Sequence, residues 1–322
     1  MIKLQRIIYE SLPVRLLVRK SKQISLPGFD GIPLYDVIRF FIQQTQQVGL
    51  NERAASIAFN FLLAIPPLGI FIFTLLSNLP GSRLLYDEAL KLTEQVAPDK
   101  TTYRMIRSVM DDFFASDSRL LSFGLILAVY FSSNAMITVM RTFNKSMLHI
   151  ETEKRNFLKL RWEAIKLTVY IVILILASIF VLFTQGSFFG YLAGWLDIRE
   201  KTLSWAGQTI RILVTFLLVF ISIALIYRHA PAVQKKWKIA SPGSLLATAM
   251  IILFTVLFSF WVNNIASYNK VYGSLGSILI LMLLIYVNSL VLLIGFELNV
   301  SINSLKSISQ RRKMMDQEGF AV

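Results

Sequence analysis

Six times along this chain the sequence stays apolar for about twenty residues, long enough to cross a ~30 Å hydrocarbon core at 1.5 Å per residue. The runs are Ile57 to Leu79, Leu120 to Met140, Leu167 to Gln185, Trp205 to Tyr227, Leu245 to Ile265 and Leu275 to Leu298. In hydrocarbon each backbone N–H and C=O must be satisfied within the protein, so only helices and closed barrels span it. Unbroken apolar runs of this length are read as helices. The expected fold is therefore all-α, a polytopic membrane protein with six transmembrane helices. Only 16% of the 322 residues are charged and 55% are hydrophobic, against about 25% charged in a soluble domain. The apolar Val14 to Val18 stretch is too short for a cleavable signal peptide, so the first span is expected to direct its own insertion.

The formal net charge of +14 would suggest nucleic acid in a soluble protein, but its distribution points to topology. Residues 1–56, 141–166, 228–244 and the segment after Leu298 hold 8, 7, 4 and 4 Lys and Arg, whereas the alternate loops hold 6, 2 and 1. Positive charge accumulates in cytoplasmic segments. Both termini are thus expected in the cytoplasm, with no nucleic-acid partner. Basic cytoplasmic loops also attract membrane lipids, including anionic headgroups, by ~1 kcal/mol per residue near the surface.

Three regions follow: a basic N-terminal region 1–56, a six-helix domain 57–303 and a cytoplasmic tail 304–322. Within the first, Leu34, Val37, Ile38 and Phe41 fall on one helical face, which predicts an interfacial helix from Leu34 to Val48. The first outer loop, about forty residues, exceeds a simple connection. Leu85, Ala89, Leu92 and Val96 form one amphipathic face, and Tyr103, Ile106, Met110 and Phe113 another after Pro98. These predict an outer helical hairpin over about 80–118, either a rigid lid or a gate.

Few polar residues interrupt the spans. Pro66 and Pro67 lie near the middle of the first, after Asn60. Two adjacent prolines remove two donors, so the helix is expected to kink or break there, and broken helices line substrate sites in transporters. No matching break exists in the fourth span, so no inverted repeat is expected. Ser132, Ser133 and Asn134 in the second span serve either to join helices or to line a wet cavity. Glu297 stands alone in the last apolar run. Its partners are sought among Arg53, Arg141, Lys145 and Arg228, bases at the same level. A buried carboxylate costs roughly 2.5–3.5 kcal/mol at mid-bilayer, so it serves either as a structural ion pair or in proton, ion or headgroup contact. Gly273, Ser274, Gly276 and Ser277 before the last span, and Pro242–Gly243 before the fifth, permit tight turns and close helix approach.

Several chemistries lack their residues. With no cysteine and only His149 and His229, there is no thiolate, no metal-ligand array and no cofactor expected. The sequence has no H-E-x-x-H, G-x-S-x-G or Walker loop. An enzyme, hydrolase or nuclease above all, is not expected.

The blocks A-A-S-I-A-F-N-F-L-L-A-I-P-P, F-S-S-N-A-M with R-T-F-N-K, I-Y-R-H-A-P, S-P-G-S-L-L-A, Y-N-K-V-Y-G-S-L-G-S and G-F-E-L-N resemble the YihY/BrkB family of bacterial inner-membrane proteins, once labelled ribonuclease BN. The resemblance covers roughly Asn51 to Asn303. The family commonly has a tyrosine where Asn60 stands and often a tryptophan around Leu284. It implies a six-helix, multi-pass protein of the cell inner membrane, linked to envelope integrity and suspected of moving lipid-like substrates. The leading expectation is a translocator whose path runs from Asn60 and Pro66–Pro67 past Ser133 and Asn134 to Glu297. The alternative is a non-transporting scaffold that binds partners through its cytoplasmic loops.

Overall fold

A computed structural model of the chain describes residues 18–47, 49–77, 100–114, 118–148, 150–183, 200–234, 236–264 and 274–317, with a few positions between 83 and 94. Its helices are α1 (Leu34–Gln47), α2 (Leu50–Ser77), α3 (Lys100–Phe114), α4 (Ser118–Ser146), α5 (Phe157–Phe183), α6 (Glu200–His229), α7 (Pro242–Asn264) and α8 (Ser274–Gln317). Among the described residues the only β pairing is a single bridge, Thr152 with Val233. Among the described residues five helices contain stretches long and apolar enough to cross a membrane, in α2, α4, α6, α7 and α8. The remaining expected span, Leu167 to Gln185, is the second half of α5. Its first half carries Lys159, Arg161, Glu163 and Lys166, and its far end lies outside the described residues.

The helices outrun their apolar cores. α8 has 44 residues, about 66 Å at 1.5 Å per residue, so the segment after residue 303 continues the helix to Gln317. Likewise α2 begins at Leu50, which puts Arg53 in its first turns. It then runs through Pro66 and Pro67 without interruption, so the expected break does not occur. Gly49, at φ +63, supplies the left-handed residue that ends α1 and lets α2 start at once.

Packing between neighbours in sequence closes a ring. α2 packs on α4, α4 on α5, α5 on α6, α6 on α7, α7 on α8, and α8 returns to α2. α1 lies against α8, and α3 against α2. Val37 of α1, Phe29 and Ile302 form a small apolar cluster, so both ends of the described chain meet at one end of the ring, termed here the basal end.

The main core also sits at the basal end. It draws Ala54 and Ile57 from the start of α2, Met136 to Met147 from the end of α4, and Ala164 and Leu167 from the start of α5. Ile223 to Ala230 of α6, Ala247 of α7 and Leu292 to Val300 of α8 complete it. Beyond that level α7 offers no buried side chain between Met250 and Val262, and α5 none between Val169 and Ser178. A helix clasped on two sides buries a residue every three or four positions. Among the described residues α5, α6 and α7 meet this condition only at the basal end, whereas α2 and α4 meet it further along, burying Ala64 and Ala128.

Of the hairpin expected over about 80–118, α3 is the longest described part, with Met110 fully buried and contacted by Thr93. Leu85, Ala89, Leu92 and Val96 lie outside the described residues.

Candidate functional site: a buried ion pair across four helices

Glu297 is fully buried, although its neighbours on α8 are apolar. An uncompensated carboxylate there would be expensive, and the fold supplies a cation. Arg53 donates from Nη1 to Glu297 Oε1 at 3.1 Å. It enters from α2 because Leu50 to Ile57 starts where α8 passes, with Ala54 and Ile57 packed beside it. The guanidinium also donates from Nη2 to Ser146 Oγ at 2.6 Å and to the carbonyl of Thr142. Ser146 Oγ in turn donates to Glu297 Oε1. Gln44, buried on α1, donates from Nε2 to the Ser146 carbonyl at 2.7 Å. One cluster thereby ties α1, α2, α4 and α8 at the basal end. Ser146 ends α4, where carbonyls lack intrahelical donors, and Gln44 supplies its carbonyl with one. Arg53 Nε and Glu297 Oε2 are buried without a hydrogen-bond partner. A carboxylate held through one oxygen can exchange a proton or a cation at the other.

Directly beside the pair lies an aromatic block. Phe296 stacks on Phe143 with centroids 3.6 Å apart and on Trp237 at 5.4 Å. Tyr227 meets both phenylalanines edge-on and donates its hydroxyl to the Leu292 carbonyl at 2.6 Å. α7 and α8 cross at Gly243 and Gly295. A Cβ on Gly295 would lie 2.7 Å from the Gly243 carbonyl oxygen and 2.6 Å from the Tyr227 hydroxyl. Asn299 fastens this crossing by accepting from Gly243 N at 2.9 Å and donating to Ser241 Oγ at 2.8 Å. Arg155 caps the end of α6, donating to the Ala230 and Pro231 carbonyls at 3.0 and 2.8 Å. Asn144 receives Ala232 N at 3.0 Å.

The other residues singled out from the sequence do not share a cluster with Glu297. Asn60 donates to Ser56 O of its own helix at 2.9 Å. Ser133 is buried and donates to Tyr130 O of its own helix at 2.9 Å. Asn134 accepts from Arg161 Nη1 of α5 at 2.5 Å, and the same guanidinium lies over the Tyr130 ring. Pro66 is exposed and Pro67 buried. Of the four bases considered for Glu297, Arg53 makes the contact, Arg141 and Lys145 are exposed and Arg228 is half-buried. Ser146, Thr142, Gln44 and Arg161 were not singled out. Serine and threonine near a helix end carry no distinctive spacing, and Arg161 reads as one more topology charge.

Among the described residues no group of three or more His, Asp or Glu is placed to hold a metal ion. The relatives of the chain carry names that describe membrane proteins more than reactions. The ribonuclease-like protein YfkH of Bacillus subtilis (strain 168) is 32% identical over 273 residues, covering 84% of this chain and 94% of its own. A UPF0761 membrane protein of Tolumonas auensis is 26% identical, covering 82% of this chain and 84% of its own length. One from Mannheimia succiniciproducens is 23% identical, covering 83% and 90%. No solved structure matches the chain. The profile of the family described as Virulence factor BrkB matches residues 41–319, a range holding every residue of the ion-pair cluster and the whole ring. This chain is a membrane protein of the BrkB family.

Proposed function

We propose that this protein is a six-span translocator of an amphiphilic, lipid-like substrate in the bacterial inner membrane, with both termini in the cytoplasm and no catalytic chemistry. The observation that carries the reading is the asymmetry of the ring. Its basal end is packed and latched by Arg53 and Glu297, while the described side chains of α5, α6 and α7 further along are at most partly buried. A protein that only anchors other molecules gains nothing from packing one end of its ring more tightly than the other. One that moves an amphiphile needs a ring sealed at one side and open at the other, with a seal able to come undone. An ion pair suits that duty: removing either partner leaves an uncompensated charge, so the seal has two discrete states. Exposed apolar side chains on α6 and α7, such as Ile212, Leu213, Val256 and Leu257, suit an acyl chain entering from the side.

The basal end has the net positive charge expected of a cytoplasmic face. α3, the longest described part of the hairpin, packs against α2, and on this reading the hairpin guards the outer mouth.

Reconstitution tests the reading. Proteoliposomes carrying the purified chain should flip labelled phospholipid faster than empty liposomes, and Glu297→Gln should slow that flipping severalfold. Folded wild-type protein that moves no phospholipid would end the lipid version and favour the scaffold, whose binding surface would be the basic loops.

A further inference from the structure

The basal end contains a second feature, which the ion pair does not use. A cavity of about 530 Å³ opens between the α6–α7 loop, the turn before α1 and the last turns of α8. Its charged lining is Lys236, Lys238, Lys306 and Arg311 against Asp30 and Glu151. The two acids are already taken. Lys306 pairs with Asp30, and Arg311 with Glu151 at 3.1 Å. The Lys306 hydrogen bond holds the Asp30 carboxyl below its usual range against the opposing effect of burial. The charges of Lys306 and Lys238 add to the lowering. Lys236 and Lys238 have no ion pair among the described residues, so the cavity has two cations in excess.

Their placement is built rather than incidental. Trp237, between them, is pinned by stacking on Phe296, and Ser241, on the same wall, is held by Asn299. The loop bearing both lysines is thus fixed to the core on either side. Gly28, at φ +88, brings the opposite wall close enough that a Cβ there would lie 2.8 Å from the Pro242 ring. Two ammonium groups, neutral donors and an indole around a space of this size match a phosphate ester better than a carboxylate, because a phosphate offers three or four acceptor oxygens to converging donors.

We propose that this cavity binds a phosphate ester: the headgroup of an anionic phospholipid in the leaflet facing the basal end, or a soluble phosphate of the same chemistry. The site does not depend on whether the ring transports, because binding can be read in detergent with no translocation.

The test uses purified full-length protein titrated with short-chain phosphatidylglycerol, phosphatidylcholine and inorganic phosphate, read by binding and by thermal unfolding. Phosphatidylglycerol should bind and phosphatidylcholine should not. The Lys236→Gln/Lys238→Gln variant should bind at least about tenfold more weakly, at ~1 kcal/mol per lost cation. Both lysines are exposed, so its unfolding temperature without ligand should match wild type. Arg141→Gln/Lys145→Gln removes the same charge from exposed positions on α4 and should bind as wild type. Inorganic phosphate that competes weakly assigns the site to lipid; phosphate that binds as tightly as phosphatidylglycerol assigns it to a soluble ester. Equal loss in both double variants, or equal binding of phosphatidylcholine, would overturn the proposal.

Discussion

Removing a single charge from the Arg53–Glu297 pair is the most costly small change the structure identifies. Glu297→Gln keeps the shape but leaves a buried guanidinium facing an amide, and breaking such a pair by one side costs about 3–5 kcal/mol. Its unfolding temperature in detergent should fall clearly. Arg53→Met with Glu297→Leu removes both charges and should recover most of the loss, since apolar replacement of a buried pair is often neutral or better. Ser146→Ala should be milder, near the ~1–3 kcal/mol of one unsatisfied buried group. Glu297 was visible in the sequence because a lone carboxylate in an apolar run has few uses. Arg53 was visible as one of four bases at the right level, but choosing among them needed the three-dimensional path of α2 beside α8. Gln44 and Ser146 were not visible, because neutral polar side chains acquire meaning only from what packs against them.

At the scale of the elements, the α7–α8 crossing decides how close two helices come. Gly295→Ala would push a methyl group into the Gly243 carbonyl and the Tyr227 hydroxyl, neither of which yields easily. Overpacking of this kind costs about 1–3 kcal/mol, so Gly295→Ala should lower the melting temperature, whereas Gly69→Ala, with open space around it, should not. Pro66 and Pro67 make the opposite case. They remove the donors that would reach the Leu62 and Leu63 carbonyls, yet α2 continues through them. Pro66→Ala/Pro67→Ala should therefore match or exceed wild-type stability and keep phospholipid flipping within about twofold, a ratio that the flipping assay reads directly. Element positions were largely legible from the apolar runs, since hydrocarbon thickness sets their length. Element ends were not. α5 begins ten residues before its apolar run and α8 extends well past its own, because a helix that leaves the bilayer can continue on polar contacts such as Lys306 with Asp30.

For the whole molecule, the separate interactions amount to one asymmetry. The ion pair and the fully buried side chains gather at the basal end, and the described side chains of α5, α6 and α7 further along are at most partly buried. Nothing in the linear sequence announces this, because both halves of each span are equally apolar. It emerges only from which apolar residues find partners. The chain lacks cysteine, so single-cysteine variants report accessibility cleanly. A cysteine at Ala247, at the packed end, should resist a water-soluble thiol reagent in the folded protein, while one at Leu213 should resist only when lipid covers it.

The most direct measurement compares wild type, Glu297→Gln and Arg53→Met/Glu297→Leu on the same preparations, for both thermal stability and phospholipid flipping in proteoliposomes. The latch account predicts that the double variant regains most of its stability but flips no faster than empty liposomes, because it is sealed with no charge to release. A double variant that is stable and flips like wild type would contradict it and reduce the pair to a structural pin.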